Sequence, residues 1–140
     1  MTKEHEAVTR VPDAELEYDA DYVYRVAGAP FTGIAYEDVP GRGRCEVSFR
    51  DGLQEGPARH WYPSGQLRSE SNIKDNVLHG RVIELTEDGL PVLDARYEYG
   101  IVVSSVRRDA AGAVVELFEI DPAGPNYAWL QRLRREHATR

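Results

Sequence analysis

Gly56-Pro57-Ala58-Arg59-His60-Trp61-Tyr62-Pro63-Ser64-Gly65-Gln66-Leu67 is answered further along by Gly80-Arg81-Val82-Ile83-Glu84-Leu85-Thr86-Glu87-Asp88-Gly89-Leu90-Pro91. Leading glycine, paired bulky residues and turn glycine recur at a spacing of about 24 residues. A period in this range marks an array of small units, none of which can bury its apolar side alone. Stacking of neighbours, rather than any single segment, therefore decides the fold.

Gly33, Gly56 and Gly80 open units, while Gly41, Gly65, Gly89 and Gly112 fall mid-unit. Asp51-Gly52, Asp75-Asn76 and Tyr99-Gly100 close units, with residue types that tolerate the positive φ of tight hairpin turns. The runs between turns alternate with a period of two. Cys45, Val47 and Phe49 oppose Arg44, Glu46, Ser48 and Arg50. Leu67, Ser69, Ser71 and Ile73 oppose Arg68, Glu70 and Asn72, and Leu93, Ala95 and Tyr97 oppose Asp94, Arg96 and Glu98. Such runs are strands with one apolar and one charged face. One repeat step superposes Phe49, Ile73 and Tyr97, and likewise Trp61 and Leu85. The expected fold is mainly β: an antiparallel meander of repeated hairpins in a single curved sheet, with one C-terminal α-helix.

The ends depart from the pattern. Tyr22 to Val26 and Thr32 to Glu37 read as an incomplete leading unit, and Ser104 to Ile120 as a degenerate last one. Asp121-Pro122-Ala123-Gly124-Pro125 breaks the sheet, and Asn126 is expected to cap a helix over Tyr127 to His137. Trp129, Leu130 and Leu133 share one side of that helix, which predicts that it covers the C-terminal end of the apolar face with Trp129 buried. The organisation expected is a flexible segment over 1–13, the array over 14–120, and linker plus capping helix over 121–140.

A chain of 140 residues with 41% hydrophobic content suits one domain. A net charge of −7 disfavours a nucleic-acid binder, which needs a basic face, and leaves a basic protein partner open. The single Cys45 forms no internal disulfide. The four histidines are scattered, without HxH or CxxC spacing, so neither a metal nor a cofactor is expected. No apolar run is long enough to span a membrane and no secretory signal is visible, so a cytoplasmic location is expected.

Gly56, Trp61, Tyr62, Gly65, Gln66, Leu67 and Glu70, with Phe31-Thr32-Gly33 before and His79-Gly80 after, form a motif that resembles the MORN-variant repeat family. Its nearest look-alikes are the bacterial YwqK-type antitoxin or immunity proteins. The resemblance covers roughly Tyr22 to Ile120. It implies rows of β-hairpins and, in the antitoxin-like members, binding and neutralisation of a cognate toxin.

The expected partner-binding residues are His60, Tyr62, Arg68 and Glu70 on one polar sheet face. Glu17 and Tyr18 join them from the acidic-aromatic stretch Asp13 to Asp21, which suits a basic, nuclease-like toxin. The function expected is a non-enzymatic antitoxin or immunity module acting by occlusion. The alternative is a MORN-type structural scaffold, associated with membrane surfaces through Arg107-Arg108 and Arg132 to Arg135. A third option is a small enzyme using His60 and Glu70. Exposed sheet edges leave a homodimer open.

Overall fold

The computed structural model describes residues 8–138. Its main sheet has nine strands in the order β1 (Arg10–Pro12), β5 (Gly33–Val39), β6 (Gly43–Arg50), β7 (Leu53–Trp61), β8 (Leu67–Lys74), β9 (Val77–Leu85), β10 (Pro91–Glu98), β11 (Ile101–Arg108) and β12 (Val114–Glu119). From β5 onward each strand pairs antiparallel with the next, as the repeat requires. A second sheet holds β2 (Glu17–Tyr18), β3 (Tyr24–Val26) and β4 (Ala29–Pro30), and the chain ends in α1 (Pro125–Ala138). No helix among the described residues is long and apolar enough to cross a membrane.

Two kinds of turn build the meander. Strands of consecutive units are joined by two-residue turns with both central residues at positive φ: Asp51-Gly52 (51° and 84°), Asp75-Asn76 (49° and 70°) and Tyr99-Gly100 (50° and 83°). This mirror-image turn matches the right-handed twist of the strands it joins. Within units the turns are longer. Gly65, Gly89 and Gly112 each donate N–H to the residue three before, at Tyr62, Thr86 and Asp109. The last unit, degenerate in sequence, thus keeps the same turn as its predecessors.

Register confirms the two faces. Val11, Ala35, Val47, Ala58, Ser71, Val82, Ala95, Ser105 and Phe118 form one row straight across the nine strands. Ala35, Val82 and Ala95 in that row are buried. The opposite face carries cross-strand ion pairs, Arg44 with Asp38, Arg59 with Glu70 and Arg81 with Asp94, and one along β6, Arg44 with Glu46.

The core sits at the N-terminal end of the apolar row. Phe31, Ala35 and Phe49 are buried there, packed by Val11, Leu16, Tyr24, Val26 and Val47. The small sheet lies over this end and is pinned where Tyr24 N–H donates to Gly52 O at 2.8 Å. Burying each phenylalanine contributes about 1.5–3 kcal/mol.

The ends of the chain differ from the sequence expectation. Residues 1–7 of the segment expected to be flexible lie outside the described residues, but Arg10–Pro12 form β1, which makes with β5 the one parallel pairing among the described residues, and Ile34 N–H donates to Thr9 O at 2.8 Å. Asp13–Glu15 form a 3-10 turn. The helix begins at Pro125, so Asn126 lies within its first turn and is not the cap. A proline suits that first position, since its missing N–H would have no helical partner. Trp129 is 49% exposed, beneath the Arg132 guanidinium, and Leu130 is the fully buried anchor. α1 meets the sheet at one end. It docks at the β10–β11 turn, where Arg134 makes two hydrogen bonds of 2.8 Å to Glu98 and His137 stacks on Tyr99 at 4.4 Å. Leu93, Ala95, Tyr97, Val102 and Phe118 line a groove of about 250 Å³ whose walls are strands alone.

Candidate functional site

Neighbouring within-unit turns stand side by side at one end of the sheet, and the spaces between them are grooves. The first lies between the β5–β6 turn and the β7–β8 turn. Asp38, Val39, Pro40, Arg44, Trp61 and Pro63 line its volume of about 420 Å³. The second, of about 310 Å³, lies between the β7–β8 and β9–β10 turns and is lined by His60, Arg68, Ser69, Glu84, Leu85 and Val92. Tyr62 belongs to both. Its hydroxyl donates to Leu85 O at 2.7 Å, bridging two units.

A β-bulge shapes the second groove. His60 pairs with Ser69 and Trp61 with Leu67, which leaves Arg68 as the extra residue. A bulge re-aims a side chain that strict alternation would send to the other face. Arg68 accordingly lines the groove with His60, its guanidinium 5.7 Å from the Tyr62 ring centre. The next unit repeats the device, with Val92 bulged between Pro91 and Leu93.

The structure therefore brings His60, Tyr62 and Arg68 together and separates Glu70 from them. Glu70 pairs with Arg59 on the opposite face. Alternation puts residues 59 and 60 on opposite sides of the sheet, so His60 and Glu70 form no acid–base couple. The carboxylate that lines the groove is Glu84, opposite Ser69 in register. The sequence signal for it was present, since one repeat step from His60 lands on Glu84. Asp38, Pro40 and Trp61 were likewise legible only once adjacent turns were placed next to each other.

Glu17 and Tyr18 lie on the small sheet, towards the end where Tyr24 is tied to Gly52, away from the grooves. The Tyr18 ring is 53% exposed and stands 4.4 Å from Tyr24 and 6.0 Å from Tyr22. Asp19 organises the adjoining loop. Its carboxylate accepts from Arg25 Nε at 2.7 Å and from the N–H groups of Asp21 and Val23. The bond from Arg25 is the largest influence holding its pKa below the ordinary carboxylate value.

Cys45 pairs with His60 in register, and burial pushes its thiol pKa up, so it stays protonated at neutral pH. Among the described residues no three histidine, cysteine or acidic side chains converge as metal ligands. Four of the basic residues near the C-terminus are engaged within the chain, Arg107 with Glu116, Arg132 with Glu136, Arg134 with Glu98, and Arg108 with Gly112 O, while Arg135 is exposed. No protein-family model, curated protein or solved structure matches this chain.

Proposed function

We propose that this chain is a non-enzymatic binding module of the antitoxin or immunity type, which seats a protein toxin on the paired grooves at the within-unit turns and denies it access to its substrate. The observation that carries this reading is the cluster of Trp61, Tyr62 and Arg68 around two open grooves. Tryptophan, tyrosine and arginine are the residues that dominate binding energy at protein interfaces. The chain charge of −7 favours a basic partner. Such an interface buries roughly 800 Å² per partner.

The test has two stages. Tagged chain, and the Arg68→Glu variant beside it, are used to capture a partner from the native host. The captured protein is then expressed alone and together with each version. Growth arrest by the partner, relieved by the unmodified chain and not by Arg68→Glu, supports the reading. A partner that is harmless alone, or rescue equally strong with Arg68→Glu, overturns it.

A further inference from the structure

The nine-stranded sheet has two edges, and the chain treats them differently. At the first, the edge is β1 itself, three residues ending in Pro12 and paired with only Ile34–Tyr36 of β5, and short strands and prolines blunt an edge. At the other, β12 has no neighbour beyond β11 among the described residues. All six of its residues are exposed, with Val115 at 59% and Leu117 at 72%. An incoming strand covers the outer strand of every earlier unit: β7 on β6, β9 on β8, β11 on β10. After β12 the chain turns away instead. Asp121 Oδ1 accepts the Ala123 N–H, Pro122 has no N–H to offer, and α1 follows. An open edge carrying large apolar side chains is a template for another strand.

The free hydrogen-bonding groups can be assigned. Ile120 N–H donates to Val103 O, and Phe118 and Glu116 lie at alternate positions before it, opposite Ser105 and Arg107. In an antiparallel ladder alternate residues turn their N–H and C=O to the same side. Those of Leu117 and Glu119 therefore point out of the sheet edge.

We propose that a second copy of this chain pairs with β12, antiparallel, about a two-fold axis at Leu117, so that one sheet runs through both copies. One long exposed edge at β12, against a three-residue edge with a proline at β1, favours closure at two. With both edges free, head-to-tail addition would continue into a filament, whereas one edge meeting itself is an isologous contact that ends there. Residues opposite each other share a face, so the axis falls on a residue rather than between two. An axis at Glu116 sets two carboxylates face to face, which like charges in a sheet disfavour. An axis at Leu117 sets leucine against leucine and each Glu116 against Phe118 of the other copy. Glu116 keeps its own-chain partner, Arg107, at 3.5 Å.

The test is sedimentation velocity on the full chain. Unmodified protein is expected at twice the 15.8 kDa chain mass. Leu117→Lys, on a side chain already in solvent, is expected to sediment as a monomer with an unchanged melting curve. In a Cys45→Ala background, Leu117→Cys is expected to form a cross-chain disulfide on mild oxidation, because paired residues of this kind have Cα atoms ~5.5 Å apart, within disulfide reach. Phe118→Cys, off the axis, is expected not to. A monomeric unmodified chain overturns the proposal, including one whose β12 pairs only with another protein's strand. So does a dimer that survives Leu117→Lys, or equal cross-linking by Phe118→Cys.

Discussion

Replacing Gly43 by alanine separates two demands that this fold makes on its glycines. Gly43 opens β6 at φ 103°, and an added Cβ would lie 1.9 Å from the carbonyl oxygen of Trp61, on the neighbouring strand. Gly65 has a similar φ of 94°, but a Cβ there meets nothing within 4 Å. Gly65→Ala therefore pays backbone strain alone, about 1–2 kcal/mol for an L-residue forced into the left-handed region. Gly43→Ala pays that strain and must also push β6 and β7 apart by more than an ångström. Main-chain hydrogen bonds at the start of that ladder are then lost, at about 0.5–1.5 kcal/mol each. Losing two of them brings the expected cost to about 2–5 kcal/mol. Urea unfolding read by circular dichroism gives both numbers, provided the slope of the transition is unchanged. Equal costs for the two variants would refute the reasoning, because the close approach of the strands would then contribute nothing.

Leu130→Ala is expected to cost about 2–5 kcal/mol as a buried cavity, and Trp129→Ala much less, in thermal unfolding, because only Leu130 is fully buried. Glu98 is held below its ordinary value chiefly by the hydrogen bond from Arg134. Its contribution is therefore present above the unfolded value near 4.5 and lost as the pH falls through the lowered folded value. Glu98→Gln should destabilise at pH 6, and the difference from the unmodified chain should vanish in strong acid; a gap constant with pH would contradict this. Tyr62→Phe removes the bond to Leu85 O and should cost about 0.5–1.5 kcal/mol in denaturant unfolding. Arg68→Glu should leave unfolding within about 0.5 kcal/mol, since Arg68 lies at the surface.

The array was legible in the sequence because its determinants are local. Asp51-Gly52, Asp75-Asn76 and Tyr99-Gly100 each fix a turn within two residues, and the alternation of Cys45, Val47 and Phe49 fixes a face. Features that depend on distant partners were not. Arg10-Val11-Pro12 carries no periodicity, and its strand exists because Thr9 O and Val11 find Ile34 and Ala35. The helix position follows from Glu98–Arg134 and Tyr99–His137, pairs that nothing in the local pattern connects. Glu70 lies on the charged face as the alternation of β8 requires, whereas His60, in register with Cys45 and Ser69, lies on the face of the apolar row and not on the polar face expected of it; Arg68 joins it only through the bulge. The grooves belong to the spacing between turns rather than to either turn.

Because the between-unit turns return the chain to the same place with the same geometry, the sheet is modular in length. Leu53, Val77 and Ile101 each begin an equivalent strand after an equivalent two-residue turn. Duplicating the stretch from Leu53 to Asn76 would add one hairpin, one groove and one shared interface while leaving every existing neighbour in kind. Insertion or loss of whole units can therefore lengthen or shorten this sheet in steps of one hairpin without redesigning a core. The N-terminal cluster around Phe49 and the docked helix are the parts that cannot be copied in this way, and they set where such growth must occur.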